Sequence, residues 1–374
     1  MSTTNAQAAS NQKKSRKKSV GKGIGIAFII MAVLAMLLVV ALIISVLVGV
    51  FVIYPSVKYN NAVDMMAEGS LVEAHEIFVD LDDYKDSAEK AKECTYIQAT
   101  NAFEDCDYKA AYEIFAKLED YKDSAEKATE CKYNQATNAF DAADYETAHN
   151  IFCEIADYAD SNEMAEKSLF LLHKANLASA HVGDVVEFGA YEQDADNSNG
   201  KETIEWIVLD VYGDSALLVS KYALDCKPYN NEKVDTTWAS CSLRKWLNYE
   251  FYQDAFTQDY QSLILATKVS TYDNPLHNTT GGTNTTDRVF LLSYDEAFFY
   301  FSSNYDRELY PTEYALRMGV EASEQSTCWW WLRTPGIYNM DTCGVHIDGT
   351  VDDLGCYVDN AQAGVRPAIW VTID

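Results

Sequence analysis

The residues best suited to ligand chemistry form an aromatic run near the end of the chain, Cys328-Trp329-Trp330-Trp331-Leu332-Arg333. In a strand, side chains alternate between faces, so Trp329, Trp331 and Arg333 would share one face. An exposed indole beside a guanidinium can stack on a sugar ring or an aromatic peptide side chain while the arginine donates to hydroxyls or carboxylates. The alternative is core packing, because a domain this aromatic must bury many large side chains.

Three aspartates follow closely in the sequence and would extend such a surface. They surround the dipeptide Asp348-Gly349, which is typical of a hairpin turn, and they could instead hold a cation. We therefore predict no catalytic residue and a set of six candidate ligand-binding residues: Trp329, Trp331, Arg333, Asp348, Asp352 and Asp353.

A second acidic segment resembles a calcium-binding loop. Asp194, Asp196, Ser198 and Glu205 fall at positions 1, 3, 5 and 12 of such a loop. However, Gly200 occupies position 7 where the sharp turn needs glycine at position 6, and Glu205 lies inside a predicted strand. We predict a polar hairpin loop here and no cofactor, with calcium as the alternative.

Other metal and catalytic signatures give little. Cys343 and His346 have a metal-ligand spacing but lack a second pair, so no metal site is predicted. The chain contains no Gly-x-Ser-x-Gly elbow, phosphate-binding loop or dinucleotide fingerprint. Its many carboxylates are not paired by any motif, so a glycosidase dyad is neither supported nor excluded. Whether the chain is an enzyme stays open at this stage.

The start of the chain predicts a membrane anchor. Six basic residues and no acidic one precede an uncharged apolar run from Ile24 to Tyr54. As a helix this run would measure about 46 Å, longer than a hydrocarbon core of about 30 Å. It also exceeds the apolar region of about 7–15 residues in a cleaved signal peptide. We predict a retained single-pass anchor that contacts the lipid bilayer through residues 24–54, with a cytoplasmic N-terminus and everything after Lys58 outside the cell.

The rest of the chain is strongly acidic. The formal net charge is −28, although the first 57 residues are basic, and the remainder carries 57 acidic against 23 basic residues. Such a surface repels nucleic-acid phosphates and anionic polymers, so we predict no nucleic-acid partner.

A motif repeats every 37 residues in the middle of the chain: Asp83-Tyr84-Lys85-Asp86-Ser87, Asp120-Tyr121-Lys122-Asp123-Ser124 and Asp157-Tyr158-Ala159-Asp160-Ser161. Each unit predicts a long helix beginning at the Asp-Ser pair, whose side-chain oxygens can accept first-turn N–H groups, and a shorter helix. Three units with a final capping helix resemble tetratricopeptide-type repeats, although those have 34 residues. The resemblance implies an α-solenoid that serves as a spacer or a docking arm.

From Val182 onward the pattern changes to short strands and hairpin turns with interspersed helices, which predicts an α+β domain. This part resembles a bacterial family of unknown function found on exported proteins of Gram-positive bacteria. The resemblance is carried by these segments: Thr237-Trp238, Cys241-Ser242-Leu243-Arg244-Lys245-Trp246-Leu247-Asn248, Trp330-Trp331-Leu332-Arg333-Thr334-Pro335-Gly336 and Gly364-Val365-Arg366-Pro367-Ala368-Ile369-Trp370. It implies no particular activity.

The tryptophan-rich strands and the terminal Gly-x-Arg segment also resemble the C-type-lectin-like fold, including its formylglycine-generating, sulfatase-modifying branch. Enzymes of that branch hold copper with a closely spaced cysteine pair. Here Cys328, Cys343 and Cys356 are 15 and 13 positions apart, and the calcium-binding tripeptides of lectins are missing. Neither activity is therefore inherited from the resemblance.

The sequence predicts four segments: a basic tail (1–22), a transmembrane anchor (23–57), helical repeats (58–180) and an α+β lectin-like domain (181–374). We expect an extracellular recognition or adhesion protein whose ligand is a cell-wall or host glycan or a protein. Two alternatives remain open. One is an enzyme of the formylglycine-generating type, and the other is a protein-interaction scaffold that acts through the repeats.

Overall fold

A computed structural model describes residues 5–373 of the chain, with side chains described from residue 25 onward. Helix α1 (Asn5–Val48) continues through one wider, π-helical turn (Gly49–Ile53) into α2 (Tyr54–Ala67). The stretch that starts at Gly25 is long and apolar enough to cross a membrane, and none of its most apolar window is buried by the rest of the protein. It can act as a membrane anchor or as a signal sequence. The side of the membrane on which each end lies stays a prediction.

A helical region follows. The chain forms two compact units, and the boundary between them lies between Thr137 and Asn138, within this helical region. The helices of this region are α3 (Leu71–Leu81), α4 (Ser87–Glu104), α5 (Tyr108–Phe115), α6 (Ser124–Asp141), α7 (Tyr145–Glu154) and α8 (Ser161–Ala178). The predicted helix starts at Ser87, Ser124 and Ser161 are confirmed.

The first two repeats contain the same tyrosine–aspartate contact. The Tyr59 hydroxyl donates to Asp86 Oδ1 at 2.5 Å, and the Tyr96 hydroxyl donates to Asp123 Oδ1 at 2.6 Å. In each case the ring also packs edge-on against a buried phenylalanine, Phe78 with centroids 5.8 Å apart in the first repeat. The aspartate of the motif therefore ties the start of one helix to the preceding long helix.

This contact corrects the predicted helix cap. Neither Asp86 nor Ser87 accepts a first-turn N–H group: the Asp86 side chain makes no cap bond, and the Ser87 hydroxyl donates to the Tyr84 carbonyl at 2.6 Å. Asp86 has φ −105° and ψ 26°, whereas a capping residue has extended backbone that turns its side chain over the first turn. Its carboxylate is thus available to Tyr59.

Replacing Tyr96 with phenylalanine tests the contact in the second repeat. The bond from the hydroxyl lowers the pKa of Asp123, and because this carboxylate is exposed to solvent, losing the bond should reduce the free energy of unfolding by only about 0.5 kcal/mol near neutral pH. The difference should disappear as the pH falls through the lowered pKa of Asp123, since the protonated carboxyl gains less from the bond. Urea unfolding followed by circular dichroism measures it. Tyr212→Phe, at a side chain that is 80% exposed, is the matched control.

The chain changes from helix to strand between Ala178 and Val185, near the predicted boundary between residues 180 and 181. One five-stranded antiparallel sheet has the order β1-β2-β3-β12-β7, and a second has the order β10-β9-β8-β11-β4, in which β11 and β8 are parallel. A two-stranded ribbon, β5-β6, completes the sheets. The strands are β1 (Val185–Tyr191), β2 (Glu202–Tyr212), β3 (Ser215–Ser220), β4 (Asp225–Cys226), β5 (Thr267–Val269), β6 (Thr285–Asp287), β7 (Val289–Phe290), β8 (Trp330–Pro335), β9 (Asp341–Val345), β10 (Val351–Tyr357), β11 (Gly364–Val365) and β12 (Ala368–Thr372).

Six short helices connect these strands. They are α9 (Ser242–Trp246), α10 (Tyr252–Ala255), α11 (Gln258–Leu263), α12 (Tyr294–Tyr300), α13 (Asn304–Arg307) and α14 (Glu313–Met318). The segment Ser293-Tyr294-Asp295-Glu296 has the sequence pattern of a capping box, and it forms one at the start of α12, with Ser293 and Glu296 each bonded to the backbone of the other. The apolar spacing of Leu243, Trp246 and Leu247 predicts one helix from Ser242 to Phe251. This segment begins as α9 but passes into a π-helical turn at Leu247.

The apolar segment from Val365 to Val371 predicts one closing strand, but in the structure it is divided. Its first residues form β11 in one sheet and its last residues form β12 in the other. The break falls at Arg366-Pro367, where proline has no N–H group for a sheet bond. Arg366 is 1% exposed, its guanidinium lies 4.9 Å from the ring centroids of both Phe301 and Trp330, and burial lowers its pKa to about 9. The Gly-x-Arg segment is therefore part of the core.

A buried histidine makes stability depend on pH. His173 of α8 is 1% exposed, and its Nδ1 lies 2.7 Å from the Tyr260 hydroxyl. Burial lowers the pKa of His173, although the Glu187 carboxylate acts in the opposite direction. The stability contributed by such a group is complete above about pH 6.5, the unfolded value, and is lost as the pH falls below it.

The variant His173→Gln should lack this pH-dependent contribution to the free energy of unfolding. Between about pH 7 and pH 5 the wild type should lose more unfolding free energy than the variant, as measured by urea midpoints at each pH. His181→Gln, at a side chain that is 87% exposed, should follow the wild type. Parallel pH profiles for His173→Gln and the wild type would contradict this assignment.

Candidate functional site

The predicted face of Trp329, Trp331 and Arg333 exists, but most of it is covered. The rings of Trp329 and Trp331 meet edge to face with centroids 4.6 Å apart, as alternation requires. Trp331 is fully buried, and its indole N–H donates to the Lys227 carbonyl at 2.9 Å. Strand β8 is the middle strand of its sheet, and all of its residues are buried. The expectation of an exposed indole at Trp331 is wrong, and the core-packing alternative describes this residue.

Arg333 is also buried, and its guanidinium binds groups inside the domain. It is 3% exposed and forms an ion pair with Glu296, in which Nη2 donates to Oε1 at 2.7 Å. Its remaining donors reach the carbonyls of Leu291 at 2.7 Å and Ser270 at 3.0 Å. The predicted role as a free donor for a ligand does not fit this arrangement, because the guanidinium hydrogen bonds are used within the protein.

The three aspartates have separate partners. Asp348 accepts hydrogen bonds from the hydroxyl and the N–H of Thr350, which lower its pKa and fix the hairpin turn. Asp353 lies 2.8 Å from His277 Nε2, and Asp352 lies 3.6 Å from His346 Nε2. Among the residues whose side chains are described, these three do not form a metal-sized cluster.

Two of the six predicted residues, Trp329 and Asp352, line one pocket. Its volume is 210 Å³, and its other lining residues come from β9, β10 and their flanks: Gly344, Val345, His346, Cys356 and Asn360. The half-buried indole of Trp329 forms an apolar wall. Gly344 permits this placement, since a Cβ there would lie 3.5 Å from the Trp329 ring and 3.0 Å from the Trp330 carbonyl oxygen.

The remaining pocket residues are mostly polar. His346, Asp352 and Asn360 supply hydrogen-bond donors and acceptors at the edge of the indole face. The Asn360 amide donates to the Cys356 sulfur at 3.3 Å. An apolar ring face with polar groups around it can hold a small ring that carries hydroxyl groups. Cys356 and Asn360 were not predicted as pocket residues, because they lie in β10 and in the loop after it, and no local pattern relates either position to Trp329.

A larger cleft of 460 Å³ was also missed. Its polar centre is Asp225, which is 1% exposed, accepts a hydrogen bond from the Tyr191 hydroxyl at 2.7 Å and has a pKa raised by burial. Lys227 lies 3.6 Å from Asp225 and 4.7 Å from the ring centroid of Trp246. These residues are far apart in sequence and come from two different sheets and a helix. In the sequence, the only signal of the cleft was the single acidic residue Asp225 between apolar neighbours.

The loop that resembles a calcium hand is a polar hairpin, as predicted. It joins β1 to β2, which pair in antiparallel fashion. Glu205 does not approach the other three predicted ligands, because its carboxylate pairs with Lys221 at 2.9 Å. Asp196 Oδ1 accepts a hydrogen bond from the Ser198 hydroxyl at 2.6 Å, within the same loop. The calcium-hand alternative is therefore wrong for this set of residues.

All nine cysteines are free thiols. Cys328 and Cys343 are fully buried, and burial raises the pKa of each to about 12, so both stay protonated at neutral pH. Cys94 and Cys131 are buried, whereas Cys356 is half-buried at the pocket. Metal-binding sulfur is thiolate, so this environment does not favour the copper chemistry of the formylglycine-generating branch.

The sheets, the pocket and the cleft define a sheet-rich domain with concave, partly aromatic surfaces. Comparison with known families shows that a DUF6273 domain, a domain of unknown function, covers residues 213–373. No curated protein and no solved structure matches the chain. The expected resemblance to a family of unknown function is thus confirmed for this part of the chain.

Proposed function

We propose that this chain is a membrane-anchored recognition protein whose C-terminal domain, an α+β domain of lectin-like type, binds a saccharide in the Trp329 pocket. The observation that carries the proposal is the half-buried indole facing His346, Asp352 and Asn360 in a pocket of 210 Å³. Such a pocket is the size of one sugar ring, whose C–H face packs on an indole while its hydroxyls bond to carboxylate and amide groups.

The charge of the protein limits the classes of saccharide that can be its ligand. Beyond the basic N-terminus the chain has 57 acidic and 23 basic residues, and the pocket itself contains Asp352. An acidic surface repels anionic polymers, so the ligand is a neutral saccharide of a cell wall or host surface in preference to a phosphate-rich or sulfated one. Calcium is not required for this mode of binding, because the indole and the side-chain polar groups provide the contacts.

The other segments fit a presenting role. The apolar helix anchors the chain in the membrane with its N-terminus in the cytoplasm. The repeats act as a tetratricopeptide-like solenoid that holds the C-terminal domain away from the outer face of that membrane. The repeated tyrosine–aspartate contacts make this spacer stiff, since each fixes one helix against the previous one.

The thiol of Cys356 allows a test within the pocket. Full-length protein in detergent micelles is treated with iodoacetamide in the presence of neutral saccharides, and modification is followed by peptide mass spectrometry. A bound saccharide should slow modification of Cys356 and leave exposed Cys106 unaffected. Saccharide binding without protection of Cys356 would contradict the proposed site and point instead to the Asp225 cleft.

A groove in the first unit favours a second function, docking of a protein partner. It has a volume of 670 Å³ and includes Val72 and Val79, which are 58% and 56% exposed, with Ile114 and Leu118 opposite. An apolar groove of this kind accommodates the apolar face of a partner helix. The double variant Val72→Asp/Val79→Asp should lose a co-purifying partner that Trp329→Ala retains. Equal loss in both variants would contradict docking at this groove.

A further inference from the structure

The β1–β2 hairpin brings together three carboxylates that the linear motif did not identify as a set. Glu192, Asp194 and Glu202 each place one oxygen within 4.8 Å of an oxygen of the other two. Oxygens bound to one Ca²⁺ at about 2.3–2.6 Å lie at most about 5 Å apart. The cluster therefore has the dimensions of a calcium coordination shell.

The buried carboxylate of Glu192 is an independent indication of a bound cation. The residue is 7% exposed, and its Oε1 atom is buried with no hydrogen-bond partner among residues 25–373. A buried carboxylate oxygen without a donor is unfavourable, and native proteins pair such atoms. Glu192 therefore places a buried carboxylate oxygen that lacks a donor beside two other carboxylates.

The other two carboxylates are held in position by uncharged donors. Glu202 Oε2 accepts the N–H groups of Gln193 at 2.6 Å and Asp194 at 3.2 Å. Asp194 accepts the N–H of Asp196 at 2.8 Å and the amide of Asn199 at 2.7 Å. These bonds do not use Glu202 Oε1 or the second lone pair of each Asp194 oxygen, so they orient the ligands and leave them able to bind a cation.

The basic residues nearest in sequence or space are used elsewhere. Lys201 lies 2.6 Å from Asp254, and the Arg317 guanidinium donates to the Ala195 carbonyl. Within residues 25–373 no lysine or arginine forms an ion pair with any of the three clustered carboxylates. Their charge is therefore left for a partner outside the chain.

We propose that Glu192, Asp194 and Glu202 bind one divalent cation, Ca²⁺, with water completing the shell. An all-oxygen set of carboxylates suits a hard cation and not a transition metal that prefers imidazole or thiolate. The cation would stabilise the β1–β2 hairpin and replace the donor that Glu192 Oε1 lacks. This site differs from the calcium hand suggested by spacing, in which Glu205 would be a ligand.

The test is a calorimetric titration of the full-length protein in detergent micelles with CaCl₂ after treatment with chelator. Calcium sites of extracellular modules bind at about 10⁻⁴–10⁻³ M, so the titration extends to about 10 mM. We expect one site in the wild type, a rise in Tm with calcium, and at least about a 30-fold loss of affinity in Glu192→Gln. The matched control Glu205→Gln should bind like the wild type.

Two measurements keep the result interpretable. In chelator, Glu192→Gln should have a Tm equal to or above that of the wild type, because the substitution removes repulsion among carboxylates, so its loss of binding cannot be attributed to misfolding. The absence of heat and of a Tm shift in the wild type would overturn the proposal. Loss of binding in Glu205→Gln with retention in Glu192→Gln would also overturn it.

Discussion

Replacing Asp287 with alanine should lower the free energy of unfolding of the C-terminal domain by about 3–5 kcal/mol, because it removes the anion from a buried network. Asp287 has a fully buried side chain. It accepts hydrogen bonds from the guanidinium of Arg244, at 2.6 and 2.7 Å, and from the indole N–H of Trp238 at 2.8 Å. The variant leaves a largely buried guanidinium and a buried indole donor without their partner.

Urea unfolding followed by tryptophan fluorescence measures this loss. Asp287→Asn should cost less than Asp287→Ala, because an amide keeps one acceptor oxygen of similar position. The control is Asp359→Ala, at an exposed aspartate of the same domain, which should change stability by less than about 0.5 kcal/mol. A cost for Asp287→Ala as small as that of the control would contradict the role assigned to the network.

Replacing Arg333 with alanine should have a comparable effect, again about 3–5 kcal/mol. The change removes the partner of Glu296 and the donors to the carbonyls of Leu291 and Ser270. Arg333→Lys should be intermediate, because lysine retains the charge but not the planar fork that reaches these acceptors together.

This second prediction also separates structure from recognition at Arg333. If the guanidinium only stabilises the fold, Arg333→Lys should bind ligand like the wild type under conditions where both are folded. Arg288→Ala, which removes an exposed arginine, is the stability control. A large loss of binding in Arg333→Lys with unchanged stability would restore the original expectation of a ligand donor.

Local signals in the sequence predicted the elements well. The 37-residue period placed the starts of α4, α6 and α8, and the Ser293 to Glu296 capping box placed α12. These signals work because caps, turns and periodicity depend on residues a few positions apart. The cap at Asp86 was wrong because a distant tyrosine competes for its carboxylate.

Tertiary contacts explain what the sequence could not show. Alternation correctly grouped Trp329 with Trp331, but it does not show what covers a face, and β8 lies in the middle of its sheet. The proline after Arg366 was a usable signal for the break in the closing strand. By contrast, nothing local connects Glu192 to Glu202 or Trp329 to Asn360.

The motifs that carry the family resemblance are mostly structural. Members of these motifs bond or stack in the interior of the domain: Trp238, Arg244, Trp331, Arg333 and Arg366. Their burial indicates that these side chains stabilise the domain.

The most direct test of the recognition proposal is binding of full-length protein in lipid nanodiscs to an array of cell-wall and host glycans. We expect a neutral saccharide to bind with or without chelator and to lose at least about 30-fold in affinity with Trp329→Ala. Tyr249→Ala, at a 72% exposed aromatic outside the pocket, should bind like the wild type. Failure of every glycan to bind, or equal binding by wild type and Trp329→Ala, would contradict the proposal.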